Sequence, residues 1–316
     1  MDELEFVAAL KKKFPFSHGL GIGDDASVVR SGKRFQLVSS DMLIEDVHFR
    51  LSDVSQQQLA QKALAANISD IAAMGGRAQY FYLNLGFPGR LSAADLRLFF
   101  TGLKRGCRKW NVELAGGDYS RSEKMFIAIA IVGQSQKPIL RRGARPGDWI
   151  AVTGPVGESA LGLQMLLQGE TTSPFIRKHK QVIPQCQKGL VLAGFVNAMI
   201  DISDGLLLDL SRMLKASGTG AEIDYEKIPV SPTFKKVCRQ YHLSEKDLVL
   251  AGGEDYQLLF AVSPRKEILL QKTKIAYRII GRMTAQQSLR VRENGRPIRI
   301  PRLGFDHFHE NKAERT

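Results

Sequence analysis

The sequence predicts a two-domain chain of mixed helices and strands whose first half is an α+β unit. Three observations predict it. The chain has 316 residues, a length that suits two domains of ordinary size. In the first half, stretches of alternating and of helical period follow in the order strand, strand, helix, strand, helix, strand, strand, which is an α+β order. Between the halves lies PILRRGARPGD, Pro138 to Asp148, rich in Arg, Pro and Gly. The domain boundary is placed there, giving domains at 1–137 and 138–316.

Composition narrows the class. Hydrophobic residues make up 44% and charged residues 24%, an ordinary balance for a soluble globular protein. No apolar run reaches the ~20 residues that cross a bilayer, so no membrane role is expected. The start, MDELEFVAALKKKF, is acidic and then basic, the reverse of a secretory signal. It reads as a short amphipathic helix, and the expected location is the cytoplasm. The three cysteines, Cys107, Cys186 and Cys238, are far apart and in no metal spacing, which argues against a disulfide framework or a zinc site. The net charge of +13 makes nucleic acid one candidate partner. The basic residues are spread out, however, and aromatics are not interleaved with them as a single-strand platform requires. Long-range attraction of small phosphorylated substrates explains the charge equally well.

The elements follow in order. After the first helix comes GIGDD, Gly21 to Asp25. Then Ala26 to Arg30 and Arg34 to Ser39 read as a hairpin turned at Ser31-Gly32. The second strand runs into SSD, Ser39 to Asp41, and DVHF, Asp46 to Phe49, reads as a loop. Ser55 and Gln58 have capping-box spacing and open a helix that runs to about Met74 and stops at Gly75-Gly76. On it Asn67 and Asp70 share a face. Gln79 to Phe87 is strand-like. Ser92 and Asp95 open the next helix, striped by Leu96, Phe99, Phe100, Leu103, Cys107 and Trp110. A short strand, Val112 to Ala115, ends in Gly116, Gly117 and Asp118, and Met125 to Val132 is another strand.

In the second half, Trp149 to Thr153 is a strand, followed by GPVGES and a helix from about Glu158 to Gln168. Free amides at such a turn can bind phosphate, but no Lys-Ser or Lys-Thr follows the glycines, so a plain tight turn is the better reading. A helix is predicted over Pro184 to Ala198, a strand over Met199 to Ile202 and a helix over Gly205 to Ala216, with Asp204 as its N-cap. Asp201 has no such local explanation. Ala221 to Tyr225 reads as a strand and Pro232 to Tyr241 as a helix. AGGEDY, Ala251 to Tyr256, leads into the strand Gln257 to Val262. Tyr277 to Arg282 is a strand, and Ser288 to Ile300 is a hairpin turned at Asn294-Gly295.

Acidic residues beside glycines recur along this chain: Asp24 and Asp25, Asp41, Asp70, Asp118, Asp201 and Asp204, Glu254 and Asp255. Most fall at predicted strand ends, where α/β proteins place ligands. Each alone reads equally as a polar turn or a capping residue. Together, such hard oxygen ligands suit magnesium, and the few scattered histidines argue against zinc. Several metal ions with basic side chains suit a reaction that joins two phosphate-bearing molecules. Their contact repulsion is roughly several kcal/mol at an effective dielectric of about 20. Bridging metals cancel it.

The motifs GIGDD, SSD, DVHF, NISDIAAMGG, AGGD, RRGARPGD, SDG and GGEDY come in the order and spacing of the thiamine-monophosphate kinases. From about Leu20 to Phe308 the chain resembles that family, which shares a superfamily with aminoimidazole ribonucleotide synthetase and selenophosphate synthetase. The resemblance implies the aminoimidazole ribonucleotide synthetase-like fold: an N-terminal α+β domain that pairs with its copy in a homodimer to form a shared β-barrel, and a C-terminal α/β domain. It implies the reaction of ATP with thiamine monophosphate to give ADP and thiamine diphosphate, with Mg2+ as cofactor. It assigns magnesium contacts to Asp25, Ser39, Ser40, Asp41, Asp70, Asp118, Asp201 and Asp204, of which Asp41, Asp118 and Asp204 are expected to carry catalysis. Gly117, Asp118, Arg142 and Ser203 would meet ATP or its metals, and Trp110 would stack on adenine. His48, Glu254 and Phe305 would face thiamine monophosphate. By residue type alone His48 reads no better than a surface histidine.

Departures from the family pattern are modest. Ser39-Ser40-Asp41 stands for the usual STD, Tyr119 for a threonine after GGD, and Phe305 for a Tyr or Trp, which keeps the stacking face and loses a polar handle. Direct in-line transfer is expected, since a phosphate oxygen needs no strong base and the protein's part is positioning and charge neutralisation. The rivals are another superfamily enzyme acting on a different phosphorylated small molecule, or a basic nucleic-acid-binding protein. Selenophosphate synthetase would need a reactive cysteine in an N-terminal glycine loop. Aminoimidazole ribonucleotide synthetase has a longer segment before its acidic motif. The retained carboxylates would repel a nucleic-acid backbone.

Overall fold

A computed structural model describes residues 3–300 and 302–304. Phe305, expected to face the substrate, lies outside the described residues. Helix α1 (Glu3–Lys13) and the short strand β1 (Gly19–Leu20) lead into GIGDD. β2 (Ser27–Ser31) and β3 (Arg34–Ile44) form the expected hairpin, closed by the pair Ser31 and Arg34 around Gly32 at φ 60°. α2 (Gln56–Ala73) and α3 (Ala93–Trp110) both open on complete capping boxes, Ser55 with Gln58 and Ser92 with Asp95. Between them runs β4 (Arg77–Pro88), and β5 (Glu113–Ser122) and β6 (Phe126–Ser135) follow.

These strands make one sheet in the order β1-β2-β3-β6-β4-β5. All its neighbours are antiparallel except β4 and β5. α2 and α3 cover one face, and Leu59, Leu64, Ile68, Phe81, Phe99, Ile127 and Ile129 fill the space between. The opposite face carries exposed Met42 and Tyr82. β5 is longer than its sequence suggests. Gly116 and Gly117 are poor strand formers, yet the chain pairs with β4 from Glu113 through Ser122. Only a glycine fits at 117, where a Cβ would lie 1.8 Å from the Leu83 carbonyl oxygen.

The second half contains β7 (Trp149–Val152), α4 (Glu158–Leu167), α5 (Pro174–Lys180), α6 (Cys186–Leu192), β8 (Ala198–Asp201) and α7 (Leu206–Ser217). Then come β9 (Gly220–Asp224), α8 (Phe234–Gln240), α9 (Glu245–Ala251), β10 (Leu258–Val262), α10 (Pro264–Gln271), β11 (Arg278–Thr284), β12 (Leu289–Glu293) and β13 (Arg296–Pro297). The sheet order is β13-β12-β9-β11-β7-β10-β8. Its pairs are antiparallel except β9 with β12. The helix expected over Pro184 to Ala198 is confined to α6. α5, α9 and α10 form where no element was expected.

α2 joins the two halves. Its Leu59 and Leu64 pack under the first sheet, while Ala73 packs with Ile139, Leu192, Met199 and Phe260 of the second. Alanines on this side let other backbone come close. A Cβ on Gly189 of α6 would lie 2.2 Å from the Ala72 carbonyl oxygen. A helix buried on nearly every side is a central element rather than a surface one. No helix among the described residues is long and apolar enough to cross a membrane.

Candidate active site

Three carboxylates converge where α2, the GIGDD turn and the end of β8 meet. One oxygen each from Asp25, Asp70 and Asp201 lies within 4.8 Å of the others. Each is set by a neighbour. Ser39 Oγ donates to Asp70 Oδ2 at 2.5 Å, and Ser69 Oγ donates to Asp201 Oδ2 at 2.6 Å. Arg141 donates to Asp25 Oδ1 from Nη2 at 2.6 Å and from Nε at 3.1 Å. The other oxygen, Asp25 Oδ2, is buried and has no hydrogen-bond partner. An orphaned buried carboxylate oxygen is costly and is relieved by a cation.

The charges leave their mark on acidity. Burial, followed by the charges of Asp41, Asp201 and Asp25, holds the Asp70 carboxyl well above the usual range. Burial and then Asp25 raise Asp201. Asp25 is also raised by burial, against the pull of Arg141. Asp24 is pushed up to about 7 by burial and by Asp25, while Arg141 N–H donates to its Oδ1 at 2.9 Å. Asp41 is pushed up to about 6 by burial and by the charges of Asp204 and Asp25, although its side chain keeps contact with water. A site that raises so many carboxylates is built for positive charge.

Strand period sorts the SSD motif. Ser39 and Asp41 face α2, where Asn67 Oδ1 accepts from the Asp41 N–H at 3.1 Å. Beyond Val38 the partner strand β2 has ended, so the Asn67 carboxamide takes the place of a strand neighbour. Ser40 belongs to the other, exposed face with Met42.

The SDG loop is held differently from expectation. Gly205 is the N-cap of α7, and Asp204 is not. Asp209 reaches back from inside the helix, and its Oδ2 accepts the N–H groups of Ser203, Asp204 and Gly205 at 3.1, 3.1 and 3.2 Å. Arg212 Nη1 then donates to Asp204 Oδ2 at 2.6 Å and to Asp209 Oδ1 at 2.7 Å. Burial and Asp204 push Asp209 up to about 7.

Glu254 sits beside this loop, its N–H donating to the Ser203 carbonyl at 2.7 Å. Both its oxygens are engaged. Lys62 lies 2.8 Å from Oε1 and 2.9 Å from Oε2, and His179 Nδ1 lies 3.1 Å from Oε2. Burial works to raise Glu254, but the charge and hydrogen bond of Lys62, with His179 beside it, overcome it and hold the group below its usual value. Burial and Lys62 push His179 down to about 4, against the attraction of Glu254. The half-buried His48 ring accepts the Ile44 N–H at Nδ1, 3.0 Å away. Asp255 takes the Gly157 and Ser159 N–H groups, so the amides of the GPVGES turn already serve a carboxylate.

Asp25, Ser39, Asp41, Asp70, Asp201, Ser203 and Asp204 are thus brought together. Asp118 and Gly117 are not: they lie on the exposed edge strand β5, and Asp118 Oδ1 accepts its neighbour Tyr119 N–H at 2.9 Å. Arg142 is exposed, and it is Arg141 that turns inward. Trp110, half-buried at the end of α3 with Lys109 over its ring, lines a cavity of about 410 Å³ with Arg77 and Lys188. Sequence reasoning missed Lys62, Ser69, Arg141, His179, Asp209 and Arg212. Of these only Ser69 and Arg141 adjoin residues it had singled out.

The AIR synthase related protein N-terminal domain matches residues 23–135, and the AIR synthase related protein C-terminal domain matches residues 145–294. The chain belongs to this family of two-domain proteins. A thiamine-monophosphate kinase of Aquifex aeolicus is 36% identical over 244 residues, 76% of this chain and 79% of that protein. One of Escherichia coli strain K12 is 34% identical over 305 residues, 92% of each. The solved structure of AaThiL complexed with AMPPCP and TMP superposes with a TM-score of 0.88 at 31% identity, covering 97% of both chains. Within the family, the chain is a member of the thiamine-monophosphate kinase group.

Proposed function

We infer that this chain transfers the γ-phosphoryl group of ATP to thiamine monophosphate, giving ADP and thiamine diphosphate. The observation that carries the reading is the Asp25, Asp70 and Asp201 centre with its orphaned oxygen. It lies in a fold shared with AaThiL, whose complex holds the ATP analogue AMPPCP together with TMP. Hard carboxylate oxygens gathered in one place suit magnesium, and Asp25, Asp70 and Asp201, with Asp41 and Asp204 alongside, are the residues that would hold it. Bound there, magnesium would neutralise charge between the two phosphates.

The chain's own part is placement. Ser39, Ser69 and Arg141 aim the three carboxylates, Asn67 fixes the main chain of Asp41, and Asp209 with Arg212 fixes Ser203 and Asp204. An oxygen of the substrate phosphate attacks the γ-phosphorus in line, and the oxygen bridging to the β-phosphorus leaves with ADP. Such a nucleophile needs no strong base, so preorganised charge does most of the catalytic task. In this reading Ser40 keeps its expected contact with magnesium, Gly117, Arg142 and Trp110 theirs around ATP, and His48, Glu254 and Phe305 theirs around thiamine monophosphate.

The reading includes a homodimer and the division at 137/138. In support of the dimer, Met42, Ala128, Asn84 and Asp118 form one register row across four strands. Met42 and Tyr82 are half exposed on that face, at 50% and 44%. A second copy closing on this face would cover apolar surface and bring Asp118 towards a bound nucleotide. In support of the division, the first sheet ends at Ser135 and the second begins at Trp149. ATP as co-substrate is the reason to place the reaction in the cytoplasm. The test is incubation with magnesium, ATP and thiamine monophosphate, followed by chromatography. Thiamine diphosphate that vanishes with EDTA is the expected result. Its absence from well-folded, ATP-binding protein would overturn the substrate.

A further inference from the structure

Lys62 takes no part in the reaction as described above, and its burial demands an explanation. Its side chain, in the first half of α2, is only 3% exposed, and its ammonium group is held by both oxygens of Glu254. A buried ammonium is tolerated only where it is paired, so the position of each partner is tied to the other. Glu254 is tied further. Its backbone is left-handed at φ 62°, a conformation that a glutamate seldom adopts unless the surroundings impose it. Its N–H donates to the Ser203 carbonyl, and the Tyr256 N–H donates to the Ile202 carbonyl at 2.8 Å. The chain from Gly253 to Tyr256 therefore continues the β8–β10 ladder alongside the SDG loop.

The same helix, one to two turns on, carries Asn67, which holds the main chain of Asp41, Ser69, which donates to Asp201, and Asp70, itself a carboxylate of the centre. α2 thus grips the site at two points. One hold is direct. The other runs from Lys62 through Glu254 into the main chain of Ser203 and Asp204. We propose that Lys62 is a positioning residue for phosphoryl transfer, setting the SDG loop through Glu254 against the carboxylates that α2 itself carries. The proposal rests on the kinase reading of the site. In it the charge of Glu254 is met first by Lys62.

The test compares wild type with K62M, K62R and E254Q, reading amide hydrogen exchange by mass spectrometry along with kcat and KM. In K62M, exchange at 202–205 and 254–256 is expected to rise about tenfold while the middle of α3 is unchanged, since the opening is local. Because small misplacements cost heavily, kcat is expected to fall about 100-fold, with KM for ATP held within about threefold, and K62R to recover most of both. A purely structural lysine would raise exchange everywhere and leave kcat per folded molecule intact, which would overturn the proposal. So would a folded K62M with wild-type exchange in both loops. If K62M does not fold, E254Q decides: faster exchange at 202–205 supports the hold, and unchanged exchange refutes it. Loosened loops in K62M together with a wild type that makes no thiamine diphosphate would uphold the hold and sink the substrate.

Discussion

Asp25, Asp70 and Asp201 are costly neighbours, and His179 is a costly one of another kind. Its imidazole is buried against Lys62 and is pushed down to about 4, so the folded protein keeps it neutral while the unfolded chain protonates it near 6.5. A lowered histidine makes folding harder as pH falls. The penalty is absent above about 6.5 and grows until about 4. Between pH 7 and pH 5 the wild type should therefore lose about 2 kcal/mol more than His179→Gln does. Urea unfolding at both pH values measures this, and equal losses would contradict it. The residues legible in the sequence were those whose chemistry is local: acids beside glycines, such as Asp25 and Asp201. Arg141 could not be told from Arg142 without knowing which way the chain turns. Lys62 reads as a solvated helix position, and Asp209 as an ordinary first-turn acid. Their roles depend on partners 192 residues away in one case and on a backward reach onto three amides in the other.

At the level of elements, the long helices were legible because their signals are local and repeated. Capping boxes at Ser55 and Ser92 mark starts that the structure keeps, and the glycines after Met74 mark a stop. The short helices escaped because seven or eight residues hold too little period to recognise, even though Ser173-Pro174 and Ser263-Pro264 are good openings. β5 was cut short because strand propensity is weak at Gly116 and Gly117, and pairing with β4 overrides it. The α2–α3 contact makes a sharper prediction. A Cβ on Gly102 would lie 2.2 Å from the Gln57 carbonyl oxygen and 2.5 Å from its Cα. Backbone cannot yield as a side-chain tip can, so Gly102→Ala should cost about 1–3 kcal/mol in urea unfolding. A variant as stable as wild type would mean that the helices are free to separate.

On the scale of the whole molecule, two sheets share one buried helix, and the acidic centre forms where the halves meet. The sequence announced the halves through the Arg, Pro and Gly stretch between them. It did not announce that α2 would serve both, because an alanine-rich face reads the same against either sheet. The exposed row through Met42 and Asp118 carries the dimer prediction. Tyr82→Glu, placing a charge on that face, should turn a dimer into a monomer in sedimentation and lower turnover at least tenfold. A monomeric wild type with full activity would remove the second copy from the reading. The central claim is that the three-carboxylate centre lets two phosphates meet. The most direct measurement is thiamine diphosphate formation by Asp70→Asn at saturating magnesium and ATP, beside its melting temperature. Asn keeps the shape that Ser39 holds and removes one charge. The account predicts turnover down about 100-fold or more, with a metal-free melting temperature at or above wild type, since repulsion is relieved. Turnover within a few fold of wild type would show that the reaction does not pass through this centre.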